Sequence, residues 1–277
     1  MNSALSKIVK KILYPAPKIN SQKLKQKFKG QWVVITGASR GIGEALANRL
    51  INCGAKLILV ARSEGKLKAL YFKALENNCE VKISITDLRN REQLNAFCEA
   101  LRQQPDVKYV FCNAGKSIRR KILESLDRMH DFDRTMDLNF KALTSIGLAV
   151  LPNLQKNNGK IIYTSSVSSL YPAAPGWSAY HSSKCAANIW CQTVDNELKT
   201  QGVRVQIAYM PLVHSQMSDV TEIYRKMPAY SAEDAADILL KLSISNKRCY
   251  KPWWAWLTEV PAFCLSPIVR KIYSLIK

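Results

Sequence analysis

The stretch WVVITGASRGIGEALANRL, Trp32 to Leu50, decides how the chain folds. Val33, Val34, Ile35 and Thr36 are β-branched and favour a strand, and Ile42 to Ile51 has the spacing of an amphipathic helix. Between them Gly37, Gly41 and Gly43 stand in a G-x-x-x-G-x-G pattern. Glycine lets the backbone turn sharply and approach a pyrophosphate, which then rests against the positive end of the following helix. A glycine triplet alone is often only a turn. With a strand before it and a helix behind it, the triplet reads as a nucleotide loop whose expected contacts are Gly37, Ser39, Arg40, Gly41, Ile42 and Gly43.

Outward from this unit, short apolar runs alternate with helix-length intervals. The predicted strands are Trp32–Thr36, Lys56–Ala61, Val81–Thr86, Val107–Cys112, Lys160–Ser165 and Val203–Tyr209. Such alternation predicts an α/β fold: a Rossmann-type, doubly wound parallel sheet with helices on both faces, joined by right-handed crossovers. A single domain is expected over residues 30–245, preceded by a basic segment at 1–29 and followed by a Trp-rich extension at 246–277.

The end of the second strand discriminates between cofactors. An acid there would hydrogen-bond the 2′-hydroxyl of NAD, but the sequence reads LILVARSEGK, with Ala61 in that place and Arg62 next. Arg40 and Arg62 together suit a 2′-phosphate held by charge-assisted hydrogen bonds, so NADPH is the expected cofactor. Two solvated surface arginines are the plainer alternative.

The 277 residues carry a formal net charge of +20, unevenly placed. Residues 1–29 hold eight lysines and no acid, and residues 241–277 hold seven Lys/Arg against Glu259. No nucleic-acid motif accompanies this charge, so no nucleic-acid partner is expected. Eight cysteines without C-x-x-C pairs fit a reducing, cytoplasmic compartment, and three histidines set apart from any acidic or cysteine cluster make a metal site unexpected. The lysine-interrupted start lacks the apolar core of a signal peptide. In PWWAWLTEVPAFCLSPIV, Pro252 to Val269, three prolines and Glu259 argue against a spanning helix. Tryptophans beside basic residues suit a membrane interface, and a lid packed on the core is the other reading. A peripheral contact at the inner face of a membrane would be strengthened by the basic start.

A Tyr-x-x-x-Lys pair occurs at Tyr14/Lys18, Tyr180/Lys184 and Tyr273/Lys277. Pro15 and Pro17 interrupt the first, and the last has no strand before it. Only Tyr180/Lys184, in WSAYHSSK, follows a strand and a nucleotide loop. With the glycine loop, Asp87 after the third strand, NAG at Asn113–Gly115, Asn139 in MDLNF and Ser166 in IIYTSSVSS, this chain resembles the short-chain dehydrogenase/reductase family from about Gly30 to Asp237. The resemblance implies a catalytic tetrad of Asn139, Ser166, Tyr180 and Lys184. It also implies cofactor contacts from Asp87, Asn113, Ala114, Gly115, Tyr180, Lys184 and Pro211, and homo-oligomers formed through the helices around Asn139 and Lys184. Asn139 would hold a water linking Lys184 to solvent.

Three further stretches, NAGKSIRRKILESLDRMHDFDRTMDLN, YMPLVHSQM and SAEDAADIL, resemble the bacterial long-chain fatty acyl-CoA reductases of that family. That resemblance implies NADPH-dependent reduction of an acyl thioester to an aldehyde. Two alternatives stand beside it: an NADP-dependent ketone or alcohol oxidoreductase acting on another lipid-like substrate, and a cofactor-sensing protein without catalysis. YHSSK lacks the common Ala before Ser-Lys, and the Trp-rich tail has no matching family pattern.

The chemistry suits these residue types. Hydride delivery to a carbonyl builds charge on oxygen, which needs a proton donor in reach. Tyr180 and Lys184 share a helical face, and a nearby ammonium is expected to lower the phenol from its usual value of about 10. Ser166 would orient the carbonyl, with Ser165 an open competitor. Cys185 reads as a small buried residue rather than a nucleophile. Arg119, Arg120 and Lys121 are read either as a phosphate contact for coenzyme A or an acyl-carrier protein, or as a solvated turn. Asp127, Asp131, Asp133 and Asp137 read as surface ion-pair partners of Arg128 and Arg134. The segment from His214 to Tyr230 is expected to cover the substrate, with Met210, Leu212, Val213 and Met217 as an apolar wall.

Overall fold

A computed structural model describes residues 3–219 and 222–275. Helices α1 (Ser3–Leu13) and α2 (Ser21–Phe28) precede strand β1 (Trp32–Thr36). The βα alternation follows: α3 (Gly41–Ile51), β2 (Lys56–Ala61), α4 (Glu64–Glu76), β3 (Val81–Ile85), α5 (Arg91–Arg102) and β4 (Val107–Cys112). Next come α6 (Met129–Met136), a π-helical turn at Asp137–Lys141, α7 (Ala142–Asn157) and β5 (Lys160–Ser166). The chain continues through α8 (Ser178–Leu198), β6 (Arg204–Met210), α9 (Glu222–Lys226) and α10 (Ala232–Ser243). It ends with β7 (Cys249–Tyr250), α11 (Trp253–Cys264) and α12 (Ser266–Leu275).

The strands form one parallel sheet in the order β3-β2-β1-β4-β5-β6-β7. This is the doubly wound sheet that the alternation predicts. Strand order reverses between β1 and β4, opening a crevice at the carboxyl ends of these strands. Side-chain alternation gives the sheet two apolar faces. Val33 and Ile35 of β1, with Leu57 and Leu59 of β2, pack toward α3, α4 and α10. Val34, Ile58 and Val60 face the cluster built by α5, α7 and α8. Each fully buried side chain of this size contributes about 1.5–3 kcal/mol.

The ends of the chain are joined to this core. Asn20 caps α2 by accepting from the Lys23 amide at 2.9 Å, and α2 buries Leu24 and Phe28, the latter packed 4.7 Å from the Tyr109 ring. Within the stretch read as a C-terminal extension, Cys249 and Tyr250 pair with Ile207 and Ala208 and extend the sheet by one strand. Leu148 on α7 and Ile189 on α8 are exposed. No helix among the described residues is long and apolar enough to cross a membrane. Lys277 lies outside the described residues.

Candidate active site

The glycine loop leaves β1 at Gly37, whose φ of +68° an L side chain rarely adopts. A Cβ there would meet the Ala114 backbone at 3.0 Å, and one at Gly43 would meet the Gly37 carbonyl oxygen at 2.1 Å. The loop therefore packs directly on the NAG segment, with Asn113 between them. Thr36 clamps the two together: its hydroxyl accepts from the amides of Asn113 at 3.1 Å and Ala114 at 3.0 Å. Sequence reasoning missed Thr36, although a hydroxyl at the last strand position before the glycine loop was the available signal.

Arg40, in extended backbone, starts α3 without a side-chain cap, so the first amides of that helix are open to an anion. Its guanidinium donates to Gln216 at 3.3 Å, tying the glycine loop to the segment after β6. Arg62 is exposed at the end of β2, 3.7 Å from Asp87. Hydrogen bonds from Arg89, the nearer partner at 2.7 Å, hold the Asp87 carboxyl below its usual value against the effect of burial. A tight glycine cradle, an uncapped helix start, Arg40 at that start and Arg62 just after β2 fit a phosphorylated dinucleotide. Pro211 is buried directly after β6.

The candidate tetrad converges on the carboxyl ends of β4 and β5. Tyr180 and Lys184 lie one turn apart on α8, with the Lys184 Nζ 5.9 Å from the centre of the Tyr180 ring. Lys184 is buried, donates to the Thr164 carbonyl at 2.8 Å and sits 4.7 Å over the ring of Tyr163. A Cβ on Gly115 would stand 3.6 Å from the Lys184 Nζ, so the NAG loop borders the lysine directly. Tyr163 forms the floor of this arrangement. It was not expected from sequence, where it reads as one more apolar strand residue.

Asn139 lies in the π-helical turn between α6 and α7 and is fully buried. Its Oδ1 accepts from the Lys116 amide at 2.8 Å, while Nδ2 donates to the Lys116 carbonyl and to the Ser183 hydroxyl, both at 2.9 Å. Ser183 in turn donates to the Tyr180 carbonyl at 2.8 Å. Both amide hydrogens of Asn139 are thus spent on holding the loop after NAG against α8. Asn139 and Ser183 thus tie the loop after NAG to the first turns of α8.

The two serines separate cleanly. Ser165 is buried and donates to Asn188 at 2.6 Å, whereas Ser166 hydrogen-bonds the Ser168 hydroxyl at 2.8 Å and interacts with the Tyr180 phenol. Consecutive strand residues face opposite sides, which assigns Ser166 to the site.

Five expectations need correction. Burial raises the Tyr180 phenol above its usual value, and hydrogen bonding with Ser166 only partly opposes this; the ammonium that was to lower it is committed to Thr164. Arg120 is not free for a phosphate, since it donates to Asp131 at 3.0 Å. Asp131 is no surface partner but a buried carboxylate. Burial would raise it, and Arg120 and Arg128 outweigh that effect and hold it low. Met210 and Val213 belong to the core rather than a substrate wall, because Val213 bridges to Tyr230 and closes the base of the segment between them. Cys185 is exposed rather than buried, while partial desolvation pushes its thiol up, in keeping with its not being read as a nucleophile. Of the segment expected to cover the substrate, residues 220–221 lie outside the described part.

Comparison with known proteins agrees with this geometry. The short chain dehydrogenase family profile matches residues 31–224. A fatty acyl-CoA reductase from Acinetobacter baylyi is 35% identical over 250 residues, covering 90% of this chain and 84% of the relative. A second fatty acyl-CoA reductase, from Mycobacterium tuberculosis, is 32% identical over 210 residues, covering 75% and 71%. A short-chain dehydrogenase from Sphingobium yanoikuyae, solved in complex with NADPH, superposes with a TM-score of 0.75 at 25% identity, covering 88% of this chain and 95% of that one. Nucleotide loop, serine, tyrosine and lysine stand where one sheet's strands end, and the match spans most of the chain, which therefore belongs to the short chain dehydrogenase family of oxidoreductases.

Proposed function

We propose that this oxidoreductase reduces long-chain acyl thioesters, acyl-CoA in particular, to aldehydes with NADPH. The observation that carries the reading is the Tyr180/Lys184 pair, its lysine buried beside Gly115, with Ser166 close to the phenol. When bound, NADPH supplies the hydride. Ser166 orients the carbonyl oxygen, and Tyr180 gives that oxygen its proton as negative charge builds there. A phenol raised by burial stays protonated at neutral pH, which suits the reductive direction. The resulting hemithioacetal returns its hydroxyl proton to the Tyr180 oxygen as the carbon–sulfur bond breaks, and the departing thiolate takes a proton from solvent, leaving aldehyde and thiol. No protein thiol takes part: Cys185 is one position past Lys184 and carries a raised pKa.

The fatty acyl-CoA reductases among its relatives support the thioester substrate. Arg119 and Lys121 remain exposed beside the site and are suited to the phosphates of coenzyme A or of an acyl-carrier protein. Purified protein given NADPH and palmitoyl-CoA is expected to consume both, with aldehyde and free thiol appearing in equal amounts by mass spectrometry. Turnover of free ketones or alcohols without any thiol release from thioesters would replace this reading with that of a general lipid carbonyl reductase.

A further inference from the structure

Outside the catalytic cleft, the two C-terminal helices leave an apolar stripe uncovered. On α11, Trp253, Trp256, Leu257, Val260 and Phe263 fall on one helical face, and each is between 45% and 67% exposed. On α12, Ile268, Ile272 and Leu275 repeat the spacing, at 51% to 75% exposure. The opposite side of α11 is the one that packs inward, through Ala255 and Trp254. Amphipathicity here is therefore real but doubled: one face serves the core and another has no partner among the described residues.

The first helix joins this surface. Trp253 donates its indole N–H to the Ile12 carbonyl at 2.8 Å, and Trp254 donates to that of Leu13 at 3.2 Å. These bonds satisfy carbonyls at the end of α1 and set its exposed Ile8, Lys10, Lys11 and Ile12 beside the tryptophans. Arg270 and Lys271 are exposed on α12. The sole acid between Lys251 and Leu275 is Glu259, and Lys251 pairs with it.

We propose that α1, α11 and α12 form one docking surface for an anionic lipid bilayer. At a rise of about 1.5 Å per residue, helices of this length reach well short of the roughly 30 Å hydrocarbon core, so they would lie in the plane of the interface. Indole rings and aliphatic side chains enter the acyl boundary while the cations meet the headgroups. A second copy of the chain is the weaker occupant. A two-fold contact through this surface would set Lys10, Lys11, Arg270 and Lys271 against an identical set, with no acid to match them.

The surface is also coupled to the catalytic cleft. Tyr171, one residue beyond the turn that follows Ser166, stacks on Trp254 at 6.5 Å and hydrogen-bonds Thr258 of α11 at 2.6 Å. Tyr14 packs edge-on against Tyr230 at 5.3 Å, and the Tyr230 hydroxyl meets that of Tyr250 at 3.1 Å. Docking would thus set the Ser166 loop next to the lipid surface, so that an acyl chain enters from the bilayer. That consequence rests on the thioester reading; the docking itself does not.

Flotation of the full chain with phosphatidylcholine vesicles, with and without phosphatidylglycerol, tests the proposal. Binding is expected to require phosphatidylglycerol and to weaken at high salt. Trp256→Glu/Val260→Glu is expected to lower the vesicle-bound fraction about tenfold or more, and Lys10→Glu/Lys11→Glu to abolish the preference for phosphatidylglycerol. Phe72→Glu, at an exposed apolar position on α4, is the control that should float like the wild type. All variants should keep their NADPH affinity and melting temperature, since every altered side chain is exposed. Three results would overturn the proposal: a wild type that floats with neither vesicle, a Trp256→Glu/Val260→Glu variant that floats unchanged, or a wild-type oligomer in lipid-free sedimentation that this variant dissociates.

Discussion

The Lys184 ammonium donates to the Thr164 carbonyl at 2.8 Å, in a pocket where no carboxylate pairs with it among the described residues. Burial without an acid lowers its pKa to about 7, so near neutrality the residue is divided between charged and neutral forms. The charged form is the one that would hold the cofactor ribose. Raising the pH through about 7 removes the proton, so NADPH affinity is expected to fall across that range and kcat/KM to fall with it. Fluorescence titration of NADPH from about pH 5 to about pH 9 checks this, with Lys184→Met expected to bind more weakly and without pH dependence. A flat wild-type profile would show that the lysine keeps its proton throughout. The same shift acts on folding: between about pH 7 and 10.4 the unfolded chain holds a proton that the folded one has lost, so this residue adds stability as pH rises.

The β-branched runs made six of the strands legible, because burial on both faces of a parallel sheet leaves continuous apolar segments such as Lys56–Ala61. β7 was not legible: two residues beside a cluster of tryptophans carry no period. At the site, the glycine loop and Tyr180/Lys184 are local patterns and could be read directly. Contacts between distant segments could not. The burial of Asp131 depends on Arg120 arriving from the loop after NAG, and the linkage of Asn139 to Lys116 and Ser183 depends on a π-helical turn that no periodicity announces. Which of Ser165 and Ser166 faces the phenol turned on strand parity at the end of β5.

Selectivity for the 2′-phosphate is expected to reside in Arg40 and Arg62. Neither is buried, and each has a modest competitor, Gln216 for Arg40 and Asp87 for Arg62, so both are able to turn toward a phosphate. Charge-assisted hydrogen bonds are worth about 1.5–3 kcal/mol each. Arg40→Ala/Arg62→Ala is therefore expected to raise the Kd for NADPH by roughly 100-fold while leaving that for NADH within about threefold. Adding Ala61→Asp should move preference to NADH by restoring an acceptor for the 2′-hydroxyl. Calorimetric titration of both cofactors reads the ratio, and an equal loss for the two would place the arginines elsewhere in binding.

Adjacent serines at the end of β5 are expected to fail in different ways. Ser166→Ala removes the hydroxyl that faces the Tyr180 phenol, so kcat should drop by about 100-fold with NADPH affinity and melting temperature nearly unchanged. Ser165→Ala instead empties a buried hydrogen bond to Asn188, whose amide also holds Ser169 at 2.9 Å. Leaving that acceptor unsatisfied costs about 1–3 kcal/mol of stability, and kcat should stay within about threefold of the wild type. Steady-state kinetics and denaturant melts on the two variants separate the cases. A Ser165→Ala enzyme that is stable but inactive would reverse the assignment, because a serine that only supports the strand has no route to kcat except through the fold.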